Sequence, residues 1–355
     1  MSASVLSDYV RSALMPLVAA IDEEGHYPEA FLRGLGALGG FVAPRDLARQ
    51  LEVTTLVGRY CGSTAFLVWC QSTCAWYLEH APNEAVRARY LEPVVRAELL
   101  AGTGMSNPVK HLAGIEKIQL AARREGEGYR LEGTLPWVSN VGPGHLAMVA
   151  AAVGNEGYAM FVVRCGADGM EILDCPAFSG MEGTQTKSLR MREYRVDAPE
   201  VIAHPQQFAA FIQRIKPGFV LGQAAIGFGI VQGSLRDIRA SNAARAQINS
   251  FLDDQGPALA EELAALEAQA RELAPAAQSG TAAVLPVLRL RARVSELALR
   301  ATQSAALHAG AQGYLMSHPA QRRLREALFV AIVTPALKQL RKEIRDLERI
   351  EAEAA

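Results

Sequence analysis

A chain of 355 residues is long enough to bury a large core in two or three structural layers. With 50% apolar and 21% charged residues it has the composition of an ordinary globular protein. A formal net charge of −1 leaves no basic face for nucleic acid or for an anionic membrane as the main partner. Met1–Asp8 carries neither a basic stretch nor a long apolar stretch, so no signal peptide is read there.

Residues 1–98 read as a helical domain. Val10, Leu14, Leu17, Val18 and Ile21 recur at helical spacing. Pro28 to Leu32 restarts a helix, and Leu35 to Phe41 is a glycine-rich exit from it. Leu51 to Tyr77 is one long, very apolar pattern, expected to be covered on most sides. Trp69, Cys70, Cys74 and Trp76 within it read as core residues. Asn83 is placed to cap the next helix.

Residues 99–205 read as a β domain. Ile118–Ala122, Tyr129–Leu131, Ala147–Val153, Tyr158–Val163, Met170–Leu173 and Ser188–Val196 are short strand patterns separated by turn residues. Their even spacing predicts a small β-barrel or sandwich. Gly133 reads as a turn. The stretch Gly128–Asn140 closes on Trp137-Val138-Ser139-Asn140, an indole beside a hydroxyl and an amide. Two readings are open there. One is a tryptophan buried at a hairpin end; the other is a wall for a planar cofactor.

Residues 206–355 read as a helical bundle. Ile212 to Arg239 is a long helix whose Gly222, Gly227, Gly229 and Gly233 suit close helix crossings. Its apolar run, Phe219 to Val231, is too short for a bilayer span. Ala258–Ala274 and Leu285–Ala309 are two further helices, the second with arginines outside and Leu and Val inside. Gln321–Val333 follows. Thr334-Pro335 reads as a cap and first residue, so the last helix is expected to start at Thr334. The five cysteines form no CxxC pair and the seven histidines no HxxxH or HExxH. Reduced thiols, a cytoplasmic location and no metal site are expected. The fold class is α+β: helical domain, β domain, four-helix bundle.

This order resembles the acyl-CoA dehydrogenase superfamily of flavoproteins, and four motifs carry the resemblance. Gly128–Asn140 matches the family's strand, glycine, Trp, Val/Ile, Ser/Thr, Asn pattern. Ser106-Asn107-Pro108 stands where the family has Thr-Glu-Pro. Phe178–Thr186 followed by Arg195–Glu200 resembles the end of its β domain. Gly310–Tyr314, with Pro319, Arg322, Arg325 and Glu326, resembles its Gly-Gly-x-Gly-Tyr turn and Pro-x-x-Arg-x-x-Arg-Asp.

The resemblance implies an FAD cofactor. Trp137 and Val138 would lie along its ring system, Ser139 would reach N5, and the backbone at Met105 and Ser106 would meet the pyrimidine edge. Arg245 would reach the pyrophosphate of a neighbouring subunit, with Gln255 following it. Gly310 and Gly313 would touch the adenosine end. A guanidinium is a chemically sensible partner for a diphosphate. A dimer or tetramer is implied, together with a small-molecule acyl-CoA or carrier-bound acyl substrate and an electron acceptor or flavin reductase.

Dehydrogenation of an acyl thioester needs a carboxylate for the α-proton and flavin N5 for the β-hydride. The usual position of that carboxylate reads Thr334, and the second family position falls at Pro217-Gly218. Neither is acidic. Asn107 for Glu, the shortened Ala43–Asp46 loop and Val109–Gly114 depart from the family near the substrate mouth. Three readings follow. The first is an acyl-CoA dehydrogenase-like oxidoreductase with its base elsewhere. The second is a flavin-dependent monooxygenase of the same fold, with Lys110, His111 or His308 as orienting groups. The third is a catalytically silent subunit of a heteromeric enzyme.

Overall fold

The computed structural model describes residues 3–354. The N-terminal helices are α1 (Ala3–Tyr9), α2 (Val18–Glu23), α3 (Glu29–Ala37), α4 (Leu47–Gly58), α5 (Gly62–Glu79) and α6 (Glu84–Val95), with π and 3-10 turns at Val10–Leu17. The Leu51–Tyr77 pattern is therefore two helices, not one. The chain turns at Arg59–Cys61, and Cys61 accepts from the Thr64 N–H to start α5. Every position of α5 from Gly62 to Leu78 is buried. Asn83 caps α6 by accepting from Ala85 N–H at 3.0 Å.

An eight-stranded sheet follows: β1 (Ala101–Thr103), β2 (Leu120–Glu125), β3 (Gly128–Val138), β4 (Leu146–Val153), β5 (Gly157–Arg164), β6 (Met170–Asp174), β7 (Lys187–Val196) and β8 (Val201–Ala203). The strand order is β6-β7-β3-β2-β4-β5-β8, with β1 pairing parallel to β4. A short helix, α7 (Ser106–Leu112), links β1 to β2. Strand β4 shows what the sheet separates. Ala147, Val149, Ala151 and Val153 join a core made of strand residues, while Leu146, Met148 and Ala150 join the helical core. Gly133 is not a turn. It sits inside β3 at a register shift with φ +125°, where an added Cβ would lie 2.4 Å from the Gln119 carbonyl.

The C-terminal helices are α8 (Pro205–Asn249), α9 (Gly256–Ser279), α10 (Val284–Ala309), α11 (Pro319–Ile332) and α12 (Leu337–Ala354). The apolar run from Phe219 thus belongs to a helix of 45 residues. That helix, like Ser4–Glu23, is long and apolar enough to cross a membrane, but 83% of its apolar window is buried against the rest of the chain. Its glycines make the close crossings expected of them. A Cβ at Gly229 would lie 2.5 Å from the Gly58 Cα, and one at Gly222 would lie 3.0 Å from the Trp69 ring. Trp69 and Trp76 donate their indole N–H groups to the Phe219 and Ile215 carbonyls of α8.

Two expectations for the bundle fail. Arg291 of α10 is not outside; it is fully buried. The last helix does not start at Thr334 but at Leu337, because Thr334 spends its hydroxyl and its carbonyl on tertiary bonds.

Candidate functional site

The sheet meets the bundle at α7, the end of β3 and the Thr334 segment. Trp137 lies in a second bulge of β3, at φ +59°, between the paired residues Leu135 and Val138. The bulge turns its indole outward, so Trp137 is 55% exposed and the buried-tryptophan reading is excluded. Val138 points the other way into the strand core and offers the site only its backbone. Ser139 follows, nearly buried, with its hydroxyl 2.6 Å from that of Thr186. The Thr186 hydroxyl lies 2.8 Å from that of Thr184, which donates to the Met181 carbonyl at 2.7 Å. Each hydroxyl has one proton. With the Thr184 proton on a carbonyl, Thr186 donates to Thr184 and Ser139 donates to Thr186. Ser139 Oγ is left with lone pairs and no proton to offer outward.

Met105 is the residue before α7, and Ser106 opens it. The Ser106 hydroxyl is 2.9 Å from the Thr334 hydroxyl. Behind Thr334, Gln223 donates to its carbonyl at 2.9 Å. Arg291 donates to Gln223 Oε1 at 3.3 Å and to the Val330 carbonyl at 2.5 Å, and bonds Ser295. Burial with no carboxylate among these partners pushes the Arg291 guanidinium down to about 10.

Asn107, in the place of a family Glu, is a structural tie. It donates to Glu116 and to the Lys117 carbonyl, and accepts from Gln119 N–H. Lys110 pairs with the same Glu116 at 3.1 Å and lies 5.6 Å from the centre of the Trp137 ring. His111 Nδ1 donates to the Glu116 carbonyl, and its Nε2 accepts from Tyr158 at 2.7 Å. Both ring nitrogens of His111 are thus engaged within the fold.

Beside Met105 and Pro335 opens a pocket enclosing about 100 Å³. Tyr77, Met105, Ile215, Phe219 and Val220 make its apolar wall. Among the described lining residues are one carboxylate, Glu343, and one ammonium, Lys216, paired with each other, and the amide of Gln339. None of these three is among the site residues expected from the sequence. The signal was available: Gln339 and Glu343 are four apart on α12, and Lys216 adjoins the family position at Pro217.

The remaining candidates gather at the other end of the bundle. Arg245 stands exposed where α8 departs from helical geometry, and donates to the Ala309 carbonyl at 3.0 Å. Gly310, at φ +63°, and Gly313 form the turn that follows. Gln255 donates to the carbonyls of Asn249, at the end of α8, and of Leu252 in the loop that follows. His308 is buried, with Nδ1 on the Ser304 carbonyl at 2.8 Å and Nε2 without a partner. By helix rise, His308 lies about 25 Å along α10 from Arg291, and Arg245 about 33 Å along α8 from Gln223. One chain therefore holds two separated groups of candidates, and His308 is not at the pocket beside Met105 and Pro335.

The family model described as "Acyl-CoA dehydrogenase, N-terminal domain" matches residues 1–98. The chain is 23% identical over 350 residues to a short-chain specific acyl-CoA dehydrogenase of Clostridium acetobutylicum, covering 92% of each chain. It is 26% identical over 355 residues to a cyclohex-1-ene-1-carbonyl-CoA dehydrogenase of Geobacter metallireducens, covering 93% of this chain and 92% of that one. Butyryl-CoA dehydrogenase from Megasphaera elsdenii shares the fold, with a TM-score of 0.86 at 19% identity over 98% of this chain and 96% of that one. With this fold, and with this order of helices, sheet and bundle, the chain belongs to the acyl-CoA dehydrogenase superfamily.

Proposed function

We propose that the chain is an FAD-dependent oxidoreductase acting on an acyl thioester, with the ring system lying along Trp137 and Ser139 and the acyl group in the pocket beside Met105. The observation that carries this reading is the outward indole of Trp137. A large aromatic surface held outward by a strained bulge, beside a polar group with unused lone pairs, suits a planar polar ligand. Bound FAD would supply a hydride acceptor at N5. Ser139, left as an acceptor by Thr186, would favour a ring N–H at that place over a bare ring nitrogen.

Lys110 would stay on Glu116 and flank the indole. Arg291, through Gln223, would hold the Thr334 carbonyl, and Ser106 would hold its hydroxyl. Thr334 cannot take an α-carbon proton at neutral pH, so proton removal would fall to another group. Arg245, Gln255, Gly310 and Gly313 gather at the other end of the bundle, Arg245 about 33 Å along α8 from Gln223. This supports a homo-oligomer in which they serve the FAD of a neighbouring copy. Exposed Ile248, Phe251 and Tyr314 beside them support the same arrangement.

The hydroxyl at Thr334 favours one second reading, a flavin monooxygenase, whose oxygen chemistry needs no α-proton base. Purified protein separates the two. A yellow preparation that bleaches on anaerobic mixing with a short-chain acyl-CoA is expected. Bleaching only with a flavin reductase and NADH turns the assignment to the monooxygenase. Trp137→Ala should lose FAD on gel filtration; equal retention removes Trp137 from the wall.

A further inference from the structure

The Lys216–Glu343 pair is the charged feature of the pocket, and the contacts that hold Thr334 do not involve it. Its side chains are 31% and 25% exposed, so most of each is covered, and both line a cavity that is apolar apart from them and Gln339. A carboxylate there is costly without a cation beside it. We propose, building on the thioester reading above, that the pocket selects acyl groups carrying a protonated amine. Glu343 and Gln339 form the recognition site, and Lys216 is the resident cation that such a substrate displaces.

The choice of a cation over an anion follows from what each exchange leaves behind. An incoming ammonium replaces the Lys216 ammonium, and Glu343 stays paired throughout. Lys216 has a four-carbon stem already partly in solvent, so its charged head can move outward into water while the stem still covers apolar surface. An incoming anion would instead have to expel Glu343, which is shorter and less exposed, or leave two anions facing one lysine. The α12 wall also suits an ammonium by number. Glu343 offers two oxygens and Gln339 one, on the same helix face, against three N–H donors. The pocket is small, so a ligand group that touches Met105 and Pro335 lies close to the pair as well.

The test is calorimetric binding to the holoprotein, which does not depend on turnover. Three S-acyl pantetheines serve as probes: butyryl, 3-aminopropionyl and succinyl. The aminoacyl probe should bind about tenfold tighter than the butyryl probe, the scale of a charge-assisted contact. Glu343→Gln should erase that preference. Lys216→Gln removes the internal competitor and should tighten the aminoacyl probe further, without helping the succinyl probe. Equal binding of all three, or a succinyl preference abolished by Lys216→Gln, overturns the cation assignment and leaves the thioester reading standing. If none of the probes binds, the thioester reading fails and takes this inference with it.

Discussion

The hydroxyl chain Ser139–Thr186–Thr184 ends on a carbonyl, and that end point sets the direction of every proton in it. The consequence for a bound flavin is electronic. An acceptor at the N5 edge stabilises the reduced ring, which carries a proton there, more than the oxidised ring. Thr186→Val breaks the chain and frees the Ser139 proton to point outward, where it would favour the oxidised form. The flavin midpoint potential of the variant holoprotein should therefore move to a more negative value in spectroelectrochemical titration. A potential that stays put, or rises, removes the relay from the site.

A second residue-scale consequence concerns pH. His80 packs edge-on against Trp76 with ring centres 4.1 Å apart, and its buried Nε2 has no partner. Burial, reinforced by the Arg214 charge, pushes this imidazole down to about 4. The unfolded chain takes a proton near the ordinary value of 6.5, while the folded chain refuses it until about 4. Stability from this group is therefore complete above 6.5 and is lost as pH falls through that window. His145 and His204 are lowered as well and act with the same sign. Urea midpoints should fall between neutral pH and pH about 4, and His80→Gln should flatten part of that slope. An unchanged slope would mean that His80 takes up its proton as readily in the folded protein as in the unfolded chain.

At the scale of elements, α8 is positioned by what its glycines leave out. Gly229 crosses α4 at Gly58, where an added Cβ would lie 2.5 Å from both the Gly58 Cα and the Thr55 carbonyl. Both obstacles are backbone, so neither can turn aside. Gly229→Ala should destabilise by about 1–3 kcal/mol, the range for overpacking a tight contact, despite the higher helix propensity of alanine. A neutral or stabilising result in urea melts would show that the two helices can slide apart. The same crossings explain what the sequence made legible. Gly222, Gly227, Gly229 and Gly233 announced close packing through their spacing alone, and β2 to β7 announced themselves as short strand patterns set apart by turn residues.

Apart from the Gln339–Glu343 spacing, what escaped had no periodic signature. The break at Arg59–Cys61 lies inside a largely apolar pattern, because α4 and α5 both pack on α8 and α5 has no wet face from Gly62 to Leu78. Arg291 looked like a surface residue because its partners, Gln223 and the Val330 carbonyl, are far away in sequence. The outward turn of Trp137 depends on a bulge whose register is set by β7, not by the letters around it. Thr334 had the composition of a cap, and only the fold brings Ser106 against it. Local chemistry named the residues around the candidate site; tertiary partners decided which of them are held and which are free.

For the molecule as a whole, the hydrophobic cores do not follow the order of the segments along the chain. One core, built from the strands with Val141 and Cys165 of the adjoining turns, runs from Leu120 to Val201. The other joins Leu6, Trp69 and Trp76 to Phe219, Leu297 and Leu340 without interruption. Residues 1–98 thus match a family domain by sequence while sharing their interior with the bundle. Helix α5 is buried at every position from Gly62 to Leu78, and α8 supplies much of that cover. Without α8, the Trp69 and Trp76 N–H groups lose their carbonyl acceptors. A broad apolar surface would also be left in water, beyond what six short helices can hide among themselves. Residues 1–98 expressed alone should therefore be helical at most in the far-ultraviolet spectrum, with poor amide dispersion and no sharp thermal transition. Co-expression with residues 206–355 should restore a cooperative melt. A sharp melt of the isolated segment would mean that the N-terminal helices carry a core of their own and that their shared interior with α8 is dispensable.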